Sequence, residues 1–201
     1  MLNQITSPIQ KFLDPKSRCV IALDGTSASG KGTLAKLIAT RYSFEHCQSS
    51  VFYRQLALER LKDGTTDLYS EHVTRMTSII AAMPEVRAQL LAPQQDFLKN
   101  HNRVIMEGRD IGTVIAPDAD IKIYITARLE VRAQRRYDQL IANENVVNYV
   151  DILANLHERD ERDQGRDAAP LMKAKEAIEI DTSDIGIEEV LEQLVAGIER
   201  L

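Results

Sequence analysis

From position 20 to position 33 the chain reads Val20-Ile21-Ala22-Leu23-Asp24-Gly25-Thr26-Ser27-Ala28-Ser29-Gly30-Lys31-Gly32-Thr33. An apolar run stops at Asp-Gly and opens into a loop of small residues that ends in Lys31. The apolar run predicts a buried strand, and residues 34–39 predict a helix after the loop. Gly25, Gly30 and Lys31 satisfy the G-x-x-x-x-G-K spacing of a phosphate-binding loop in the strand, loop and helix context that this motif requires.

Such a loop binds phosphate mainly through its backbone. Small residues let it wrap a polyphosphate closely, its N–H groups and the helix N-terminus point at the anion, and Lys31 reaches the outer phosphates. The general motif has Ser or Thr directly after the lysine to hold Mg²⁺, whereas here Gly32 intervenes and Thr33 supplies the hydroxyl. The expected contacts with ATP are Gly25, Thr26, Ser27, Ala28, Ser29, Gly30, Lys31, Gly32 and Thr33. A small-residue turn that binds nothing is the alternative.

Composition limits the classes of protein that this chain can represent. Its 201 residues suit one domain, and 44% hydrophobic with 27% charged residues is ordinary for a folded soluble protein. The net charge of −5 disfavours general nucleic-acid binding. Cys19 and Cys47 lack metal-ligand spacing and are expected to be reduced and buried. No signal peptide or run of about 18 apolar residues is visible, so a cytoplasmic location without membrane contact is expected.

The rest of the chain alternates between predicted strands and predicted helices. The strands are expected at 44–47, 103–106, 121–125 and 177–180, and the helices at 52–62, 69–83, 84–100, 129–142, 149–163 and 187–198. Residues 1–17 predict an arm or a short helix that packs late or not at all. This alternation predicts a parallel sheet covered by helices on both faces, with ligands at the carboxyl ends of the strands.

Charged residues gather beyond the predicted strand ends and in the run 157–167. Converging arginines are costly without an anion, and a kinase needs such a clamp because its transition state spreads negative charge over oxygens. Arg159, Asp163 and Arg166 fall at i, i+4 and i+7, on one helical stripe that can face one ligand. The alternative is a solvated helix in which side chains four apart form pairs, and the arginines at 132, 135 and 136 are open to the same interpretation.

The joint order of these motifs resembles the bacterial cytidylate kinases, a family of the nucleoside monophosphate kinases. The resemblance runs from about Cys19 to the C-terminus. It rests on GTSASGKGT at 25–33, YRQLA at 53–57, MPEVR at 83–87, EGRDIGT at 107–113, PDA at 117–119, ERDERD at 158–163, APL at 169–171 and IDTS at 180–183.

The resemblance implies a role for each matching residue. Ser49, Arg54, Arg109 and Arg166 would hold the acceptor phosphate, the three arginines acting with Lys31 in catalysis. Arg159 and Asp163 would contact the ribose. Ser78, Arg87 and Asp110 would read the cytosine edge, and Arg132 and Arg136 would close over the ATP phosphates. Thr33 remains the expected metal ligand.

The implied fold is a three-layer α/β phosphate-loop kinase with a parallel sheet. Its core would comprise 18–54, 101–127 and 167–201, with a short helical monophosphate-binding segment at 55–100 and a helical lid at 128–166. The implied reaction is phosphoryl transfer from MgATP to CMP or dCMP by a monomer that binds small nucleotides and no nucleic acid.

The sequence also departs from the family at two places. Gln48 and Ser50 stand where the family usually has Asp and Gly, and only 24 positions separate Arg54 from Ser78, so the β-rich insert of many members is missing. The alternatives are a kinase of UMP, AMP or a small hydroxylated metabolite, and an ATPase or nucleotide-binding regulator that transfers nothing to an acceptor.

Overall fold

A five-stranded parallel sheet with the order β2-β3-β1-β4-β5 forms the centre of the protein. The computed structural model describes residues 7–61, 66–142 and 146–201. Leu23 of β1 pairs with Glu107 of β3 and with Ile123 of β4, so the carboxyl ends of the strands meet at one edge of the sheet. The strands are β1 Cys19–Gly25, β2 Glu45–Gln48, β3 Arg103–Glu107, β4 Ile121–Thr126 and β5 Ile178–Asp181, within about one residue of the predicted bounds.

Helices cover both faces of this sheet, which confirms the three-layer α/β prediction. Because successive side chains of a strand point to opposite faces, Ile21 and Leu23 pack with α2 and α8, whereas Val20 and Ala22 pack with α5 and a π-helical turn. The helices are α1 Pro8–Leu13, α2 Lys31–Tyr42, α3 Ser50–Leu61, α4 Glu71–Ile80, α5 Pro84–Asn100, α6 Leu129–Ala142, α7 Tyr149–Gly165 and α8 Ile187–Ile198, and the π-helical turn is Ile111–Ile115.

Two groups of helices have small cores of their own. Helices α3, α4 and α5 pack around Tyr53, Val73 and Val86, and α6 packs on α7 through Ala133 and Leu156. The described part of the span 55–100 contains helices and no strand, as expected for a chain without the β-rich insert. The predicted end of α3 at 62–64 and the predicted polar break at 143–145 lie outside the described residues.

The short helix predicted within residues 1–17 is α1, and the alternative that this segment does not pack at all is wrong for residues 7–17. Ser7 caps α1, and Phe12 is fully buried in the main core against Tyr42 and Phe44. Burial of a phenylalanine side chain stabilises by about 2–3 kcal/mol. Arg103 then donates to the carbonyl oxygens of residues 11, 12, 14, 17 and 42. A six-residue helix is too short to show periodicity, so no local pattern indicates this packing.

Both cysteines are free and buried in the sheet, as predicted. Burial raises the pKa of the Cys19 thiol to about 12 and that of the Cys47 thiol to about 11. In the described ranges, no helix is long and apolar enough to cross a membrane.

Candidate active site

The loop after β1 has the backbone geometry of a phosphate-binding loop. Gly25 has φ of +146°, and a Cβ there would lie 1.9 Å from the carbonyl oxygen of Ile125, so only glycine fits. Ala28 and Gly30 also have positive φ, 59° and 96°. These turns bring the loop back over the N-terminus of α2, where unpaired N–H groups favour an anion.

Lys31 begins α2 and points back across the loop. Its side-chain Nζ donates to the carbonyl oxygen of Thr26 at 2.5 Å, and only 7% of the residue is exposed. Burial lowers the pKa of Lys31, and the guanidinium of Arg109 lowers it further, whereas Glu107 raises it. Few negative charges therefore balance the Lys31 ammonium, and an anion bound at the loop would be strongly attracted to it.

Asp24, the last side chain of β1 before the loop, joins the loop to the π-helical turn. Its Oδ1 accepts from the N–H of Ile111 at 2.8 Å and its Oδ2 from the N–H of Gly112 at 2.7 Å. Burial raises the pKa of Asp24 to about 6, with a further contribution from Asp110, although the two N–H groups and Lys31 oppose the rise. Asp24 thereby fixes the backbone that follows Asp110.

We expect Asp24→Asn to change the pH dependence of stability. The folded state holds the Asp24 proton more tightly than the unfolded state, so the wild type loses stability as the pH rises from about 4 to about 6. The variant lacks this loss. The free energy of unfolding of the variant minus that of the wild type, both measured by urea denaturation, should therefore rise by about 2–3 kcal/mol between about pH 4 and pH 7. A difference that stays constant over this range would contradict the raised pKa.

A polar pocket lies at the carboxyl edge of the sheet, between the loop, α3, α4 and α7. Nine of the predicted site residues line it: Lys31, Ser49, Ser78, Arg87, Arg109, Asp110, Arg159, Asp163 and Arg166. They come from segments that are far apart in the chain and meet because parallel strands end at one edge. Arg159 and Asp163 of α7 therefore face this pocket, and Arg166, predicted on the same helical stripe, also lines it but follows the end of α7 with extended backbone. The four-apart pair of Glu158 and Arg162 also forms, at 2.6 Å, so α7 has a charged pocket face and a paired outer face.

Two carboxylates hold the arginines of this pocket in place. Asp110 pairs with Arg87 and lies 3.6 Å from Arg166, and Asp163 accepts from Nε of Arg109 at 2.8 Å. Both carboxylates are almost fully buried. Burial acts to raise the pKa of Asp163, but Arg109 and Arg159 outweigh it and hold that pKa below its usual range.

The arginines outnumber their carboxylate partners on the pocket wall. Burial lowers the pKa of Arg159 to about 10, and the like charge of Arg109 contributes to this shift. Five guanidinium or ammonium groups, on Lys31, Arg87, Arg109, Arg159 and Arg166, line the pocket beside the three carboxylates of Glu107, Asp110 and Asp163. The pocket therefore has the charge and the donors to bind a phosphate.

Three predicted arginines do not line this pocket. Arg54 donates to the carbonyl oxygen of Leu68 and to Thr74 Oγ1, and its guanidinium stacks 4.9 Å from the Tyr69 ring, so it would have to leave these partners to reach an acceptor phosphate. Arg132 is buried and donates to the carbonyl oxygen of Ser27 while pairing with Asp160. Arg136 donates to Gln139 on its own helix.

Some residues of the site were not predicted from the sequence. Glu107 lines the pocket, and its Oε1 accepts from Gln48 at 2.9 Å and lies 3.0 Å from His46 Nε2. A Cβ on Gly32 would lie 3.4 Å from that same oxygen, whereas Thr33 is exposed on the first turn of α2. The position of Glu107 at the end of a predicted strand was a usable signal. No sequence signal pointed to Thr182, whose hydroxyl donates to the carbonyl oxygen of Ser29.

Comparisons with known proteins agree with this geometry. The family model described as cytidylate kinase matches residues 21–67 and 62–200. A cytidylate kinase of Rickettsia rickettsii is 41% identical over 204 residues, which is 92% of this chain and 93% of that protein. One from Bartonella bacilliformis is 42% identical over 192 residues, 85% and 89% of the two chains. A solved gluconokinase from Sinorhizobium meliloti shares the fold, with a TM-score of 0.54 at 15% identity over 91% of this chain and 93% of its own.

Proposed function

This chain belongs to the cytidylate kinase family and transfers a phosphoryl group to CMP or dCMP, and we propose that the donor is ATP with Mg²⁺. One observation carries the proposal: Lys31 of the phosphate loop lines the same pocket as the arginines. A donor phosphate held by the loop and an acceptor phosphate held in the pocket would meet at this lysine. That juxtaposition is what in-line transfer between two nucleotides requires.

The proposed donor site is the loop from Gly25 to Thr33. Its backbone N–H groups and Lys31 would bind the outer phosphates, and Arg132 would support the loop through its bond to Ser27. Arg136 would contact the phosphates from α6 after closure. Mg²⁺ prefers one or two protein oxygens together with substrate phosphates, and the donor types present fit it: the Glu107 carboxylate lies next to Gly32, and the exposed Thr33 follows Gly32 on the first turn of α2. When bound, the metal would neutralise charge on the transferring group.

The proposed acceptor site is the pocket itself. Arg109 and Arg166, with Ser49, would hold the acceptor phosphate, and Arg159 and Asp163 would contact the ribose. The single O–H of Ser49 donates to the buried Gln94 at 2.7 Å, so it would have to turn away from Gln94 to donate to a phosphate oxygen. Ser78, Arg87 and Asp110 would read the base, and Arg54 would join the site by exchanging its bonds to Leu68 and Thr74. No general base is needed, because an acceptor phosphate is already ionised.

We propose the corresponding division of the chain into a core, a monophosphate-binding segment at 55–100 and a lid at 128–166. The separate small cores of α3–α5 and α6–α7 support segments that move as units. Closure of the lid would exclude water and limit hydrolysis of ATP. We further propose a monomer that binds free nucleotides, since the net charge of −5 opposes nucleic-acid binding.

The test is the release of ADP by the purified protein with MgATP and, in turn, CMP, dCMP, UMP, AMP or no acceptor. We expect CMP and dCMP to give the highest rates and the reaction without acceptor to be slow. A higher rate with UMP or AMP would contradict the base-reading assignment of Ser78, Arg87 and Asp110. Release of ADP that no acceptor stimulates would favour the ATPase alternative.

A further inference from the structure

Arg162 links α7 to α4 at the rim of the pocket. One terminal nitrogen of its guanidinium donates to Ser78 Oγ at 2.6 Å, and the other donates to Glu158 Oε1 at 2.6 Å. Ser78 lines the pocket with Thr77 and Ala81, whereas Arg162, whose side chain is about one third exposed, does not line it. Arg162 thus bonds to a pocket residue without lining the pocket itself.

This contact determines how Ser78 can bond on its pocket side. A guanidinium has only donors, so the Ser78 oxygen must accept from Arg162 with one of its two lone pairs. A charged donor also polarises the hydroxyl, which strengthens its O–H as a donor and weakens its oxygen as a further acceptor. Ser78 is therefore better suited to donate than to accept on its pocket side.

The neighbouring groups complete a pattern that suits one pyrimidine better than the other. Asp110 presents carboxylate oxygens and Arg87 presents N–H groups to the same pocket. Cytosine carries a donor at its N4 amino group and acceptors at N3 and O2, whereas uracil carries an acceptor at O4 and a donor at N3. A donor at Ser78 and an acceptor at Asp110 match the edge of cytosine, and both would be mismatched by uracil.

We propose that Arg162 is a positioning residue that holds Ser78 as a hydrogen-bond donor and so favours cytosine over uracil. The proposal rests on the proposed function, because it assumes that the base lies against Ser78 and Asp110. It assigns to Arg162 a part in base selection without direct contact between Arg162 and the nucleotide.

The test compares Arg162→Met with Glu158→Gln as a matched control. Both variants disrupt the ion pair of Arg162 and Glu158, but only Arg162→Met removes the bond to Ser78. We expect Arg162→Met to lower the ratio of kcat/KM for CMP to kcat/KM for UMP by about 10-fold, mainly through a higher KM for CMP, with the KM for ATP unchanged. Glu158→Gln should keep the ratio of the wild type. Arg162→Lys, which retains a charged donor, should restore part of it.

A double-mutant cycle separates this mechanism from a general effect on the lid. Ser78→Ala should reduce the ratio as much as Arg162→Met, and the double variant should be no worse than either single variant. An unchanged ratio in Arg162→Met, additive losses in the double variant, or a lower KM for CMP in Arg162→Met would each overturn the proposal. In those cases the wild type would still phosphorylate CMP, whereas a wild type that phosphorylates no monophosphate would refute the proposed function itself.

Discussion

Lys31→Met is expected to lower kcat with MgATP and CMP by at least about 10³-fold while the protein stays folded. Lys31 lies at the junction of the loop and the pocket, and the wall around it already contains Arg109 and Arg159, which lower its pKa together with burial. The transferring phosphoryl group would bring its negative charge to this ammonium. Methionine keeps most of the length of the side chain and removes the ammonium with its bond to Thr26, so steady-state kinetics would report the loss of the ammonium.

The matched control is Lys36→Met, at an exposed position one turn further along α2, which should leave kcat within about 2-fold of the wild type. Urea denaturation should show no loss of stability for Lys31→Met, because burial already disfavours the Lys31 cation in the folded protein. Rates near those of the wild type in Lys31→Met would refute the assignment of residues 25–33 as the donor site.

Arg109→Met is expected to reduce kcat/KM for CMP by about 10²- to 10³-fold and to change the KM for ATP by less than about 3-fold. Arg109 lies between the loop and α7, since it donates to Asp163 and also lowers the pKa of both Lys31 and Arg159. The proposed role of Arg109 is to contact the phosphoryl group that passes from ATP to CMP. Arg109→Lys should recover only part of the activity, because an ammonium lacks the planar fork of a guanidinium.

Arg128→Met supplies the control for this second variant. Arg128 is half exposed and pairs with Asp184 on the surface, so its loss should be almost neutral in both kinetics and stability. Equal losses in CMP and ATP parameters for Arg109→Met would indicate that Arg109 supports the fold of the site as a whole. Measurement of both KM values for each variant distinguishes these outcomes.

The features that can be predicted from this sequence are those whose cause is local in the chain or follows from the order of the strands. The loop could be predicted because Gly25 and Gly30 are needed for positive φ, and β1 because a central parallel strand is apolar on both faces. The pocket followed from topology, since residues beyond the ends of parallel strands must meet at one edge. These signals were sufficient to predict the fold class. The site residues were named mainly through the resemblance to the family, since no sequence pattern indicates Ser78 or Arg87, and nine of them line the pocket.

Local sequence patterns do not show which partner a side chain takes across the structure. Arg54 and Arg109 both follow predicted strands, yet Arg109 reaches Asp163 in the pocket and Arg54 bonds to Leu68 and Thr74. The contact of Arg162 with Ser78 joins positions 84 apart and leaves no periodic signal. Packing of α1 on the core depends on Phe12 meeting residues that follow β1, which no local pattern can indicate.

The burial of both cysteines gives the enzyme a practical property. A thiol reacts with maleimides and other alkylating dyes as its thiolate, and with pKa values of about 12 and about 11 Cys19 and Cys47 hold almost none at neutral pH. A cysteine introduced at Val146, which is fully exposed between α6 and α7, would therefore be labelled selectively in the otherwise native protein. A fluorophore at that position would test the proposed movement of α6 and α7 on nucleotide binding without any prior removal of the native thiols.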